Sequence, residues 1–130
     1  MAFYIHSTAD GRAPSTEYLP CGAIVPKAGM AMKMATGKLA AAGATDAPTY
    51  ICMQTRQTAC TDGELIPVVR VLPDMIFGTS FSAAAGTVKL GDKVTLSADS
   101  MQVTATTVSG VAEVVGMEGT DAGAACMVRF

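Results

Sequence analysis

The residues that could do covalent or metal chemistry in this chain are few and widely spaced. One histidine, His6, and four cysteines, Cys21, Cys52, Cys60 and Cys126, are the base, nucleophile and soft-ligand candidates. A Cys–His or Ser–His device needs its base within hydrogen-bonding reach of the nucleophile and a third group to orient it. Here it would have to recruit His6 from a turn-rich N-terminal segment. Zinc sites draw ligands from closely spaced Cys and His residues, and no two of these five lie close together in sequence. Several acidic residues stand beside glycine, as in Asp10-Gly11, Asp62-Gly63 and Gly91-Asp92, which is turn chemistry. Neither GxGxxG nor GxxxxGK[ST] occurs, so no phosphate-binding loop is signalled. These residues point away from an enzyme, a metal site and a bound cofactor.

The bulk composition narrows the field further. At 130 residues the chain is expected to be one domain. A chain of this size buries roughly two-thirds of its unfolded surface, enough for a core without metal or disulfide staples. Half of the residues are hydrophobic and 15% are charged, with no Trp, three Tyr and four Phe, so much of the surface must be small Thr, Ser, Ala and Gly. A formal net charge of −2 with nine scattered basic residues argues against a nucleic-acid binder, which normally carries a basic stripe. No apolar run approaches the length that spans a bilayer. The start lacks both a basic n-region and an apolar h-region, so a cleaved secretion signal is not expected. Four buried thiols acting as small hydrophobes is the default for the cysteines, and a Cys52–Cys60 disulfide stays open.

The elements that must position all of this are short strands. Residues 1–20 are polar and rich in turn formers, with Pro14 and Pro20. They are expected to form an extended arm with at most one short strand around Phe3–Ile5. From Cys21 onward, runs of period-two alternation are punctuated by Gly, Pro and Asp-Gly. Strands are expected at 23–25, 30–34, 49–55, 64–72, 75–81, 93–96, 101–107, 111–117 and 124–130, with a helical turn at 82–86. Pro67 removes a ladder donor, which places the 64–72 strand at an edge or on a bulge. No segment sustains the 3.6-residue period. The expected fold is all-β: a compact antiparallel β-sandwich or small barrel over 21–130, preceded by the arm.

Two stretches invite a functional reading. Ala31-Met32-Lys33-Met34 resembles the AMKM core of biotin carrier domains, where the lysine sits at a hairpin tip. That resemblance implies biotin on Lys33. The alternative is strand alternation, with Met30, Met32 and Met34 on one face and Lys33 in solvent. Met30 stands where carriers have an acidic residue, and the length of the chain exceeds theirs. The same methionines with Met53 could instead line a small-molecule pocket, although methionine stripes usually fill cores.

The second resemblance runs from Cys21 to the end. Its segments are Pro26-Lys27-Ala28-Gly29, Gly37-Lys38-Leu39, Asp62-Gly63-Glu64-Leu65-Ile66-Pro67-Val68, Leu90-Gly91-Asp92-Lys93-Val94, Ser109 to Gly116, and Asp121-Ala122-Gly123 before Val128-Arg129-Phe130. This order is similar to the capsid cement or head-decoration proteins of tailed bacteriophages. The resemblance implies a non-enzymatic virion protein made in the host cytoplasm. It would bind the outside of an icosahedral capsid, with the major capsid protein as partner and trimers as the common oligomer. Other phage head or tail parts share such bodies and remain an alternative. An arm could add a strand to a capsid sheet edge, which makes Phe3, Tyr4, Ile5, Arg12 and Tyr18 the candidate partner-binding residues. On this reading, removing residues 2–20 should leave a folded body that no longer binds shells.

Overall fold

In the computed structural model, which describes residues 2–130, the tightest local unit is a hairpin. Its strands, Ala31–Ala35 and Lys38–Ala41, are joined at Thr36-Gly37, both in the left-handed region (φ 50° and 81°). Positive φ at both central residues is the turn geometry whose twist matches a hairpin. Glycine adopts it freely, while a β-branched threonine adopts it at a cost. The Thr36 hydroxyl donates to the Ala35 carbonyl at 2.7 Å.

In chain order the ten strands among the described residues are β1 (Tyr4–Ser7), β2 (Thr16–Cys21), β3 (Ala31–Ala35), β4 (Lys38–Ala41), β5 (Tyr50–Cys52), β6 (Glu64–Arg70), β7 (Ile76–Ser80), β8 (Lys93–Val94), β9 (Ala112–Met117) and β10 (Ala125–Arg129). They form two five-stranded units, a closed barrel β2-β4-β3-β5-β6 and an open sheet β1-β7-β10-β9-β8. The all-β expectation is met by this arrangement. Among the pairs of named strands only β2–β4 is parallel; it pairs Cys21 with Leu39 and closes the barrel, with Gly22 N donating to Leu39 O at 3.0 Å.

Alternation along the barrel strands divides their side chains between two cores. Met32, Leu39, Tyr50, Cys52, Ile66 and Val68 fill the barrel interior. Ala31, Ile51 and Val69 point the other way and join Phe77, Val114 and Val128 of the open sheet in the second core. One row crosses that sheet as Ile5–Phe77–Val128–Val114. The row on its opposite face is Tyr4–Gly78–Met127–Gly116. A Cβ at Gly78 would collide with the Tyr4 ring, and one at Gly116 with the Met127 methyl. The two glycines therefore let those larger side chains lie down on the sheet.

Backbone bonds sew the units together. Ala31 N donates to Ser100 O at 2.8 Å and Leu96 N to Ala44 O at 3.0 Å, while the buried Ser100 hydroxyl donates to Ala42 O at 2.5 Å.

Several expectations are corrected here. The described part of the stretch expected as an arm holds two strands, not one: β1 pairs with β7, and β2 pairs with β6 from Thr16↔Val69 to Cys21↔Glu64. The segment read as a separable arm is thus woven into both units, and removing residues 2–20 would open the barrel. The strand of Pro67, β6, is paired on both sides, by β2 and β5, with no bulge against either. Pro67 O accepts from Met53 N at 3.0 Å, so its missing donor faces the point where β5 ends. Residues 23–25 form no strand, and 82–86 form bends and a turn instead of a helical turn. Only Lys93–Val94 and isolated bridges regularise the 93–107 region.

Candidate interaction surface

The five candidate partner-binding residues fall in different settings. Phe3 is a core residue, 3% exposed, edge-on to Phe130 with ring centroids 5.5 Å apart. Ile5 is half-buried against the same core. Tyr4 is 49% exposed on the open sheet's outer face. These three line one cleft of about 210 Å³ with Ala28, Gly29, Ile51, Cys52 and Met53. Its position follows from topology: β1 is an edge strand of the open sheet, and Phe3 N donates across the seam to Gly29 O at 3.1 Å. Arg12 lies apart, in an exposed loop where its amide donates to the Asp10 carboxylate at 3.0 Å. A shallow depression of about 420 Å³ separates that loop from Leu72, Asp74 and Met75.

Tyr18 is 65% exposed on the outer barrel wall. Register explains its neighbours. Pairing sets Tyr18 opposite Pro67 and Pro20 opposite Leu65, and directly opposed residues share a face. Leu65 is 60% exposed. Across β6, Pro67 meets the main chain of Met53, itself 47% exposed and lining the cleft beside β1. The same wall continues into Val69 and Ile51, which the open sheet covers. An apolar strip therefore runs from Leu65 and Tyr18 through Pro67 and Met53 to Phe3–Ile5, bare along the barrel and covered at the seam.

Leu65, Pro67 and Met53 are the members that sequence reasoning missed. Alternation in Glu64–Arg70, with Ile66 and Val68 inward, was the available signal for Leu65. Ion pairs stand at both ends of the inward row of β6, Glu64–Ile66–Val68–Arg70. Arg70 binds Glu17 through two nitrogens, each at 3.0 Å, and stacks over Tyr50. That guanidinium holds the Glu17 carboxyl below its ordinary range. Arg56 pairs with Glu64 and, with the Thr61 amide, lowers that carboxyl as well.

The other readings find their residues dispersed. Lys33 lies within β3, opposite Ala40 and away from the Thr36-Gly37 tip, and its ammonium binds Asp46 at 2.7 Å. A carrier lysine at a hairpin tip has no counterpart in that position. Met30 and Met32 are in the barrel core, whereas Met34 and Met53 are exposed, so the four methionines share no pocket. Among the described residues no three His, Cys, Asp or Glu side chains are grouped to hold a metal ion, and no helix is long and apolar enough to cross a membrane.

Fold and surface together define a small all-β protein of two joined five-stranded units with a bare apolar strip. No protein-family model matches the chain, and no curated protein matches it.

Proposed function

We propose that this protein is a structural virion component that binds the exterior of an icosahedral phage capsid and stabilises it, as decoration or cement proteins do. The observation that supports this most directly is the strip of Tyr18, Leu65, Pro67 and Met53. Large apolar side chains left in contiguous array on a small protein mark a surface for another protein. Tyrosine suits such a surface because it brings a large contact area with few rotatable bonds. The free edge of β1, beside the same strip, offers main-chain groups to an incoming strand. The partner is the major capsid protein, and the oligomer on the shell is a trimer. Many symmetric shell positions make modest affinity per copy sufficient, because neighbouring copies engage together.

The test is binding to undecorated phage heads, followed by sedimentation, with the solution mass measured by light scattering. The wild-type protein should saturate the heads, and Tyr18→Asp with Leu65→Asp should abolish binding while circular dichroism stays unchanged. Wild-type protein that ignores heads, or a double variant that binds like wild type, would overturn the proposal.

A further inference from the structure

Three of the four cysteines, Cys21, Cys52 and Cys60, share the barrel core, and the structure holds all four as free, buried thiols. Two of the three are brought together by the main chain. The stretch that follows Cys21 runs beside the stretch that contains Cys60: Cys60 N donates to Ile24 O at 2.9 Å, and Gly63 N donates to Cys21 O at 2.7 Å. Register also sets Cys21 opposite Glu64. These bonds hold the Cys21 and Cys60 stretches side by side within the barrel core. Cys52 is engaged elsewhere, its thiol donating to the Gln54 carbonyl at 3.2 Å. Cys126 belongs to the other core.

Cys60 also sits in a long connection of the barrel that has no strand of its own. The connection from Met53 to Gly63 contains no strand, and among 53–63 only Cys60 is buried. It is held by single bonds and not by a strand ladder: Ala28 N donates to Thr55 Oγ1 at 3.0 Å, Arg56 N to Pro26 O at 3.0 Å and Cys60 N to Ile24 O at 2.9 Å, Arg56 Nη1 to the Cys60 sulfur at 3.7 Å, and Arg56 and Asp62 pair with Glu64 and Lys38. A strandless segment with little buried area opens locally at much lower cost than the whole fold. Such an opening exposes Cys60 first and returns it to Cys21.

We propose that Cys21 and Cys60 form a disulfide when the protein meets a two-electron oxidant of the peroxide class, tying the 53–63 connection to the mouth of the barrel. The Cys60 sulfur attacks one oxygen of hydrogen peroxide, the O–O bond breaks, and one water leaves with the thiol proton. The resulting sulfenic acid is then attacked by the Cys21 sulfur. The S–S bond forms as the S–O bond breaks, and the departing hydroxide takes the Cys21 proton as a second water. Both thiols are oxidised and one peroxide is reduced. Burial pushes the Cys21 thiol up to about 12, which makes it a poor first nucleophile and leaves Cys60, on the strandless connection, as the thiol that meets peroxide first. This inference is independent of the capsid reading, since it concerns the barrel mouth in any setting.

The test uses the whole purified protein, reduced and then exposed to hydrogen peroxide, with remaining thiols alkylated. Cleavage after Lys and Arg puts the four cysteines in four separate peptides, 13–27, 39–56, 57–70 and 94–129, so every pairing gives a distinct mass. The expected result is an intact monomer lighter by two hydrogens, two alkylated cysteines instead of four, and a 13–27/57–70 cross-link that a reductant removes. Cys52→Ser should keep the cross-link and Cys60→Ser should lose it. The wild-type map decides alone if a variant fails to fold. A dominant 39–56/57–70 cross-link, or four thiols still alkylated, would overturn the proposal.

Discussion

Phe3→Ala is the sharpest probe of how firmly the N-terminus belongs to the fold. Phe3 is almost wholly buried and stands edge-on to Phe130, which in turn touches Phe77 at 5.6 Å between centroids. Truncating a core phenylalanine costs about 3–5 kcal/mol, from lost transfer energy and the cavity left behind. The unfolding entropy of a 130-residue protein, at about 2.1 cal/mol/K per residue, is near 0.27 kcal/mol/K. Dividing one by the other gives a fall of about 11–18 °C in the thermal midpoint. The chain has no Trp, so the assay is urea and thermal unfolding followed by circular dichroism and tyrosine fluorescence. Met34→Ala, at an exposed position, is the control and should stay within about 0.5 kcal/mol of wild type. A loss below about 1 kcal/mol for Phe3→Ala would refute the reasoning, because that is what truncation on a loosely attached terminus costs.

Further outcomes follow from other features. Gly110→Ala would drive a Cβ into the Lys93 carbonyl and should cost about 1–3 kcal/mol. Gly86→Ala meets open space without positive φ and should be neutral or stabilising by about 0.4–1 kcal/mol in the same melts. The carboxyls of Glu17, Asp46, Glu64 and Asp99 are all lowered by their partners, chiefly Arg70, Lys33, Arg56 and Ser97. Their stabilisation is present above the ordinary values of 3.8 and 4.5 and lost as pH falls through the lowered ones. Urea midpoints should thus drop below about pH 4.5. Glu64→Gln should be less stable than wild type at pH 7 and converge with it in acid. At the alkaline end, burial raises the thiols of Cys21 to about 12 and Cys126 to about 11 from an ordinary 9.0. The unfolded chain therefore ionises first, and stability should decline as pH climbs from 9.0 towards those values, which Cys126→Ala should partly relieve.

Strand positions were legible wherever alternation ran unbroken. The observed β5, β6, β7, β8, β9 and β10 fall within the expected runs, and β3 overruns its run by one residue. Thr16–Cys21 was illegible because Pro14 and Pro20 read as loop signals, and a barrel strand can hold a proline where the next strand has not yet begun to pair. Gly22 directs its amide at Leu39, and period-two alternation turns Pro20 to that same side, ahead of the first β2–β4 contact at Cys21. The same logic excuses Pro67. Which face of a strand is bare was harder to read. In Glu64–Arg70, Leu65 and Val69 point the same way, yet only Val69 is covered by the open sheet. Sequence gives the side of the strand; coverage depends on where a distant element lands. Tyr18 was legible as a candidate, but its company of Leu65, Pro67 and Met53 depended on register.

The order of strands also sets a timetable. The barrel uses one continuous stretch of chain, Thr16 to Arg70, whereas the open sheet is built from the two ends that flank it. During synthesis the barrel has all its strands once Arg70 emerges. Tyr4 must wait for Gly78, and β7 in turn for β10, before the second core can close. Pairings between distant segments form late because the loop between them must first be closed. A folded barrel shortens that loop by holding the ends of its own segment together, so it acts as the jig on which the sheet is assembled. Until then Phe3 and Ile5, destined for the interior, are exposed on a nascent strand, and that interval is when this chain is most open to pairing with a neighbour.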